Sequence, residues 1–153
     1  MEPTRHSGYR STAAIAHHPL HPLLVTLPIG FLVGALLTDL AFIGTTDSFW
    51  ARASEWLVGA GLVSGALAAA GFIDFFGNAR IRSITSVWHH MIGNALALLL
   101  AAISLYVRLS RGALEVSGTE LMLSILVVLI FAVTGWLGGE LVFRHGVGRT
   151  DGQ

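Results

Sequence analysis

Four long apolar runs alternate with short polar segments along this chain. The runs cover residues 23–43, 56–76, 87–107 and 121–143, and each is 21 to 23 residues long. About 20 apolar residues span the hydrocarbon core of a bilayer as an α-helix. The pattern therefore predicts an all-α integral membrane protein built as an up-and-down bundle of four transmembrane helices.

The polar segments between the runs are short. They cover residues 44–55, 77–86 and 108–120, and such lengths favour antiparallel packing of consecutive helices. We expect a polar N-terminal tail at 1–16, one transmembrane domain at 17–149 and a C-terminal tail at 150–153. The first apolar run is too long for the core of a signal peptide, so the first helix is expected to be retained.

The arginines predict the orientation of the bundle. Four spans place both termini and segment 77–86 on one side, with six arginines there and three on the other side. Basic residues concentrate in cytoplasmic segments, so the termini are predicted to be cytoplasmic. The six are Arg5, Arg10, Arg80, Arg82, Arg144 and Arg149, and the three are Arg52, Arg108 and Arg111.

The composition of the chain excludes several kinds of binding site and cofactor. Hydrophobic residues make up 54% of the chain and charged residues 12%, with a formal net charge of zero. The neutral charge gives no basic patch of the kind that binds nucleic acid. The absence of cysteine excludes disulfides, thiolate metal sites, covalently attached haem and an iron–sulfur cluster held by this chain alone. No nucleophile, base and orienting group occur together, so hydrolytic or transferase chemistry has no support.

Histidines are distributed unevenly along the predicted bundle. In an up-and-down bundle, six of the seven histidines and two carboxylates fall at the end of the bundle that carries the termini. These residues are His17, His18, His21, Asp74, His89, His90, Glu140 and His145. The opposite end holds five carboxylates and no histidine: Asp39, Asp47, Glu55, Glu115 and Glu120. Ionisable groups at membrane depth are expensive and often functional, so this asymmetry is the main functional clue.

Helix periodicity separates the histidines. His90 and Asn94 are four residues apart and share a helix face. His89 points about 100° away from His90, so the two are not expected to serve one site. His17 and His18 are expected to be interfacial. His21, His90 and His145 come from three different predicted helices and are the candidate ligands.

Two carboxylates, Asp74 and Glu140, lie at the same predicted end of the bundle as these histidines. Asp74 can orient or ligate beside a histidine, or it can pair with Arg80 or Arg82. Glu140 and Arg144 are four residues apart and are expected to pair at the end of their helix.

Glycines recur four residues apart within three runs, at positions 30 and 34, 61 and 65, and 135 and 139. Small residues allow helices to approach closely in lipid, which predicts tight packing within the bundle. The alternative is that they leave room for a flat cofactor.

Four pieces of the sequence resemble a known family. They are HPLLVTLPIG at 21–30, GFIDFF at 71–76, HHMIGN at 89–94 and GWLGGELVFRHGVG at 135–148. Together they resemble the bacterial four-helix membrane proteins catalogued as domain of unknown function 2231, over residues 17–149. The resemblance matches His21, Pro22, Pro28, Asp74, His90, Asn94, Glu140 and His145. The chain departs from the family where many relatives carry another histidine or a tyrosine, at Thr26, Phe75 and Phe143.

The resemblance implies a fold and a location in the bacterial inner membrane, but no established activity. Relatives that are fused to Rieske or cytochrome c domains suggest membrane electron transfer with such a redox partner. The other expected partners are the lipid bilayer and a second copy of the chain.

Three functions remain open. The first is a redox protein that holds haem b, or a zinc, copper or iron ion, at the histidine-rich end. For haem, His21, His90 and His145 are the candidate axial ligands, with Asp74 or Asn94 fixing a tautomer. For a metal ion, the same three histidines are the candidate ligands, with Asp74 as a further candidate. The second is a non-catalytic membrane anchor in which the histidines form only a structural polar network. The third is proton or small-solute movement between Asp39 and the histidines, which the apolar middle of the bundle disfavours.

Overall fold

The computed structural model describes residues 14–15, 18–19, 24–69, 76, 79–112 and 114–144. Two short strands, β1 (Ala14–Ile15) and β2 (His18–Pro19), pair antiparallel. The helices are α1 (Thr26–Thr45), α2 (Ser48–Ala68), α3 (Ala79–Arg82), α4 (Thr85–Arg111) and α5 (Gly118–Phe143). The predicted all-helical class is confirmed for the described bundle.

The turn between α1 and α2 is much shorter than the sequence predicted. Thr46 adopts a left-handed backbone, with φ at 56°, and its N–H closes α1 on the carbonyl of Phe42. The side chain of the next residue, Asp47, accepts a hydrogen bond from the backbone N–H of Phe49 and so caps α2. The prediction of a loop at 44–55 is therefore wrong, because the polar residues at 48–55 lie in the first turns of α2.

The third connection is also shorter than predicted. It consists of residues 112–117, with Gly112 at a φ of 86°. The carboxylate of Glu120 accepts a hydrogen bond from the N–H of Ser117 at 2.5 Å and so closes the first turn of α5. Residues 108–111 are helical, which corrects the prediction that Arg108 lies in a loop.

Among the described residues, three helices are long and apolar enough to cross a membrane: α1, α4 and α5. Their most apolar segments have mean hydropathies of 1.9, 1.8 and 2.4. α2 does not meet the same criterion, because its first turns carry polar residues such as Arg52 and Glu55. The apolar run at 56–76 also extends past Ala68 into residues that are not described. Four spans are thus not confirmed by helix length and composition.

The four long helices form a ring around one apolar core. α1 packs mainly on α2 and α4 mainly on α5, and the ring is closed by contacts of α1 with α5 and of α2 with α4. Short turns join the helices within each pair, so partners run antiparallel. The buried core residues are Leu32, Ala35, Val58, Ala97, Ala101, Val127 and Phe131.

Large apolar side chains cover the outside of the ring. Trp56, Trp136 and Phe143 are 78%, 80% and 83% exposed. Soluble proteins rarely expose such continuous apolar surface, whereas a bilayer covers it. The outer surface therefore agrees with a membrane environment.

The three glycine pairs differ in their surroundings. A Cβ on Gly30 would meet no atom within 4 Å, and one on Gly34 would make an ordinary contact with Leu57 at 3.5 Å. A Cβ on Gly61 would lie 2.7 Å from Leu32, and one on Gly65 would lie 2.5 Å from Leu98, so this pair serves close packing as predicted. A Cβ on Gly135 or Gly139 would meet no atom within 4 Å, so that pair faces outward. Packing within the described bundle explains only part of the glycine pattern.

Candidate functional site

Three side chains form a hydrogen-bonded histidine layer near the start of α4: His90, Asn94 and Thr134. The Nδ1 atom of His90 lies 2.8 Å from the backbone carbonyl of Thr134 on α5. Its Nε2 atom lies 3.0 Å from the amide nitrogen of Asn94, one helical turn later. The Thr134 hydroxyl donates to the amide oxygen of Asn94 at 3.0 Å. The predicted shared face of His90 and Asn94 is confirmed.

Two backbone carbonyls fix the protons in this layer. The amide nitrogen of Asn94 also lies 2.9 Å from the carbonyl oxygen of His90, which only accepts. That position must therefore be the NH₂ group, so the neighbouring Nε2 atom accepts. The Thr134 carbonyl likewise only accepts, so Nδ1 carries the ring proton. His90 is thus held as the neutral Nδ1–H tautomer.

The backbone of α5 leaves room for the imidazole. A Cβ on Gly138 would lie 3.0 Å from Cε1 of His90. The ring is half-buried between the two helices, while Thr134 is fully buried. The glycine therefore lets the Nδ1–Cε1 edge of the His90 ring approach the neighbouring helix closely.

The structure describes some of the other residues predicted at the histidine-rich end, and their positions differ. His89 is exposed whereas His90 is half-buried, so the two side chains lie on different faces of α4, as their spacing predicts. The predicted Glu140–Arg144 pair is present at 2.7 Å. The predicted ligands His21, Asp74 and His145 lie outside the described residues. Within the described residues, no three histidine, aspartate or glutamate side chains gather as a metal site.

A second polar cluster, the ion-pair layer, lies near the other end of the bundle. It consists of Asp39, Ser104, Arg108 and Ser124. Arg108 Nη2 donates to Asp39 Oδ2 at 2.8 Å, and these side chains are only 2% and 0% exposed. The Ser124 hydroxyl donates to the same carboxylate oxygen at 2.6 Å. Arg108 Nε donates to Ser104 Oγ at 3.3 Å.

Sequence reasoning missed this ion-pair layer because Arg108 was assigned to a connecting segment. The signal was nonetheless present. Asp39 lies inside an apolar run, where an isolated charge needs a partner. Ser104 and Arg108 are four residues apart and share the inner face of α4. An unpaired acid within one span and an arginine near the end of another together predict such a pair.

An apolar layer separates the two polar layers. Ten residues separate Asn94 from Ser104 on α4 and Ser124 from Thr134 on α5, a helical rise of about 15 Å. The interior between them is lined by the apolar core cluster that includes Ala97, Ala101 and Val127. This layer disfavours continuous proton movement through the described interior.

We expect Arg108→Gln to destabilise the protein strongly, by about 3 kcal/mol, because it leaves the buried Asp39 carboxylate without its counter-charge. Arg111→Gln, one turn later at an exposed position, is the matched control and is expected to change stability by less than about 0.5 kcal/mol. Thermal unfolding in detergent measures both effects. Equal stability of the two variants would show that the buried pair contributes nothing to the fold.

The comparisons with known proteins identify a family. The family described as predicted membrane protein DUF2231 matches residues 17–151. No curated protein matches the chain. No solved structure matches it either. The chain folds as a helical bundle with an apolar outer surface, and it belongs to the DUF2231 family of membrane proteins.

Proposed function

We propose that this membrane protein holds haem b or a zinc, copper or iron ion at its histidine-rich end. With haem, copper or iron bound it would serve membrane electron transfer, whereas zinc has no redox chemistry and would not. The observation that carries the proposal is the orientation of His90. A histidine that ligates a metal through one nitrogen usually donates its other N–H to a carbonyl or carboxylate, which fixes the tautomer. His90 makes this bond through Nδ1 to Thr134, so Nε2 is the nitrogen with a lone pair.

The remaining ligands are proposed from chain position and from the family resemblance. His21 precedes the first residue of α1 by five positions, and His145 follows the last residue of α5 by two. In an antiparallel ring these helix ends lie at the end of the bundle where α4 begins. We assign His21 and His145 as further ligands. Asp74 is assigned as a metal ligand or an orienting carboxylate.

A bound haem or redox-active metal would supply one-electron chemistry that the side chains of this chain do not provide. The protein would contribute neutral imidazoles and an apolar surrounding that tunes the potential. A Rieske or cytochrome c protein is the proposed redox partner, on the strength of the family resemblance alone.

One observation favours a second function, the non-catalytic anchor. Both ring nitrogens of His90 already have partners within the protein. A polar network that is complete in this way can stabilise contacts between α4 and α5 without a ligand.

The absorption spectrum and metal content of the purified protein in detergent separate these functions. The cofactor proposal predicts a Soret band, or stoichiometric zinc, copper or iron, that His90→Ala removes. His89→Ala is the matched control because His89 is the exposed neighbour on the same helix, and it should retain the signal. A folded protein without pigment or metal contradicts the proposal and favours the anchor.

We also propose that α2 is the fourth span and that the protein lies in the bacterial inner membrane with both termini cytoplasmic. α2 packs along α1, and its outer face exposes Val63 and Leu67. The arginine bias supports this orientation more strongly than the sequence suggested. Arg108 is buried in the bundle and no longer counts as a loop charge, which leaves six arginines against two.

Single cysteines test this topology, since the chain has none of its own. Thr45→Cys, Ser83→Cys and Thr119→Cys place thiols in or near three successive connections. We expect a membrane-impermeant maleimide added to intact cells to label the first and third but not the second. Labelling of the second variant together with the first would show that α2 does not cross the membrane.

A further inference from the structure

Asn94 occupies the atom of His90 that a ligand would need. Its amide nitrogen lies 3.0 Å from Nε2, and Nε2 carries the only lone pair on the ring in this tautomer. The same nitrogen lies 2.9 Å from the His90 carbonyl, so one NH₂ group serves two acceptors on one residue. The Asn94 amide and a ligand at Nε2 are therefore mutually exclusive.

We propose that Asn94 blocks Nε2 of His90, so that rotation of the Asn94 side chain controls ligand binding at the proposed site. This inference rests on the proposed function for the identity of the ligand. It assigns Asn94 a role opposite to that of a residue that helps to hold a cofactor. In this structure the Asn94 amide lies against the Nε2 lone pair that a ligand would need.

The block is displaceable. An amide is a neutral donor, and hydrogen bonds between neutral groups are weaker than those of charged groups. Rotation of Asn94 leaves the Nδ1–H bond of His90 intact, because the acceptor of that bond is the backbone carbonyl of Thr134 on α5. His90 therefore keeps its tautomer and orientation when Nε2 is released.

Thr134 adjusts the strength of the block through its side chain. Its hydroxyl donates to the Asn94 amide oxygen at 3.0 Å and so fixes the amide with its NH₂ group toward His90. Thr134→Val keeps a similar shape and the backbone carbonyl but removes this donor. Thr134→Ser keeps the donor. Only Thr134→Val removes the hydrogen bond that orients the Asn94 amide. Both variants keep the backbone carbonyl that accepts from Nδ1 of His90.

Nitrogen NMR of protein with ¹⁵N-labelled histidine, in detergent and without cofactor, tests the inference directly. The His90 signals are assigned by their loss in His90→Ala. The wild-type protein is expected to show a protonated Nδ1 and an unprotonated Nε2. Free imidazole side chains sample both tautomers, so a single fixed tautomer is a specific signature.

Zinc alone is then titrated, with the Nε2 shift of His90 as the readout. Asn94→Ala is expected to lower the half-saturating zinc concentration at His90 about tenfold, because zinc no longer displaces the amide. Thr134→Val should lower it by a smaller factor, and Thr134→Ser should resemble the wild type. The response of the exposed His89 should stay unchanged in every variant and serves as the internal reference.

Several results would overturn the inference. A wild-type His90 with its proton on Nε2 contradicts the assigned geometry. Weaker or unchanged zinc binding at His90 in Asn94→Ala shows that Asn94 does not block the atom. If Asn94→Ala does not fold, Thr134→Val must show the gain and Thr134→Ser must not. Failure of the proposed function is distinguishable, since a protein purified without pigment or metal can still show the tautomer and the gain in zinc binding.

Discussion

The ion pair between Asp39 and Arg108 is the interaction on which the arrangement of the helices depends. It joins α1 to α4 across the interior, and Ser124 of α5 bonds to the same carboxylate oxygen. Ser54 of α2 donates to the carbonyl of Ala35, one turn from Asp39, so all four long helices meet at this level. Because buried charges must be compensated, any slip of one helix along another would leave a charge unpaired. The ion-pair layer thereby sets the relative positions of the helices, and those positions bring α4 and α5 together at the histidine layer.

The histidine layer differs from the ion-pair layer in a way that suits binding. It contains no full charge in the assigned tautomer, and the hydrogen bonds among His90, Asn94 and Thr134 connect α4 and α5. Rearranging it costs neutral hydrogen bonds rather than an uncompensated charge. The ion-pair layer thus holds the four long helices together, whereas the histidine layer orients the imidazole of His90. The apolar layer between them keeps the two polar clusters separate.

Much of this arrangement could be predicted from the sequence, since helices and shared faces follow from local periodicity. The common face of His90 and Asn94 needed only their spacing of four residues. The apolar surroundings of Asp39 predict a basic partner, but only tertiary packing selects Arg108, which is 69 positions away in the sequence. The predicted loop at 44–55 is wrong because a break in the apolar pattern need not be a break in the helix, since polar residues such as Arg52 and Glu55 also occupy helical turns. The bond from His90 to a backbone carbonyl leaves no sequence signal, since any residue at position 134 supplies that oxygen.

We propose that the histidine layer exists for a ligand and not for stability. The double variant His90→Leu/Asn94→Leu tests this proposal, because it replaces the two polar side chains on α4 with apolar groups of similar size. The measurement is the free energy of unfolding in detergent, on cofactor-free protein, compared with the wild type. Replacement of a buried polar network by well-packed apolar residues is often neutral or stabilising. We expect the double variant to be within about 1 kcal/mol of the wild-type stability, or more stable. A loss of about 3 kcal/mol or more would show that the network is structural and that the proposed role in ligand binding is wrong.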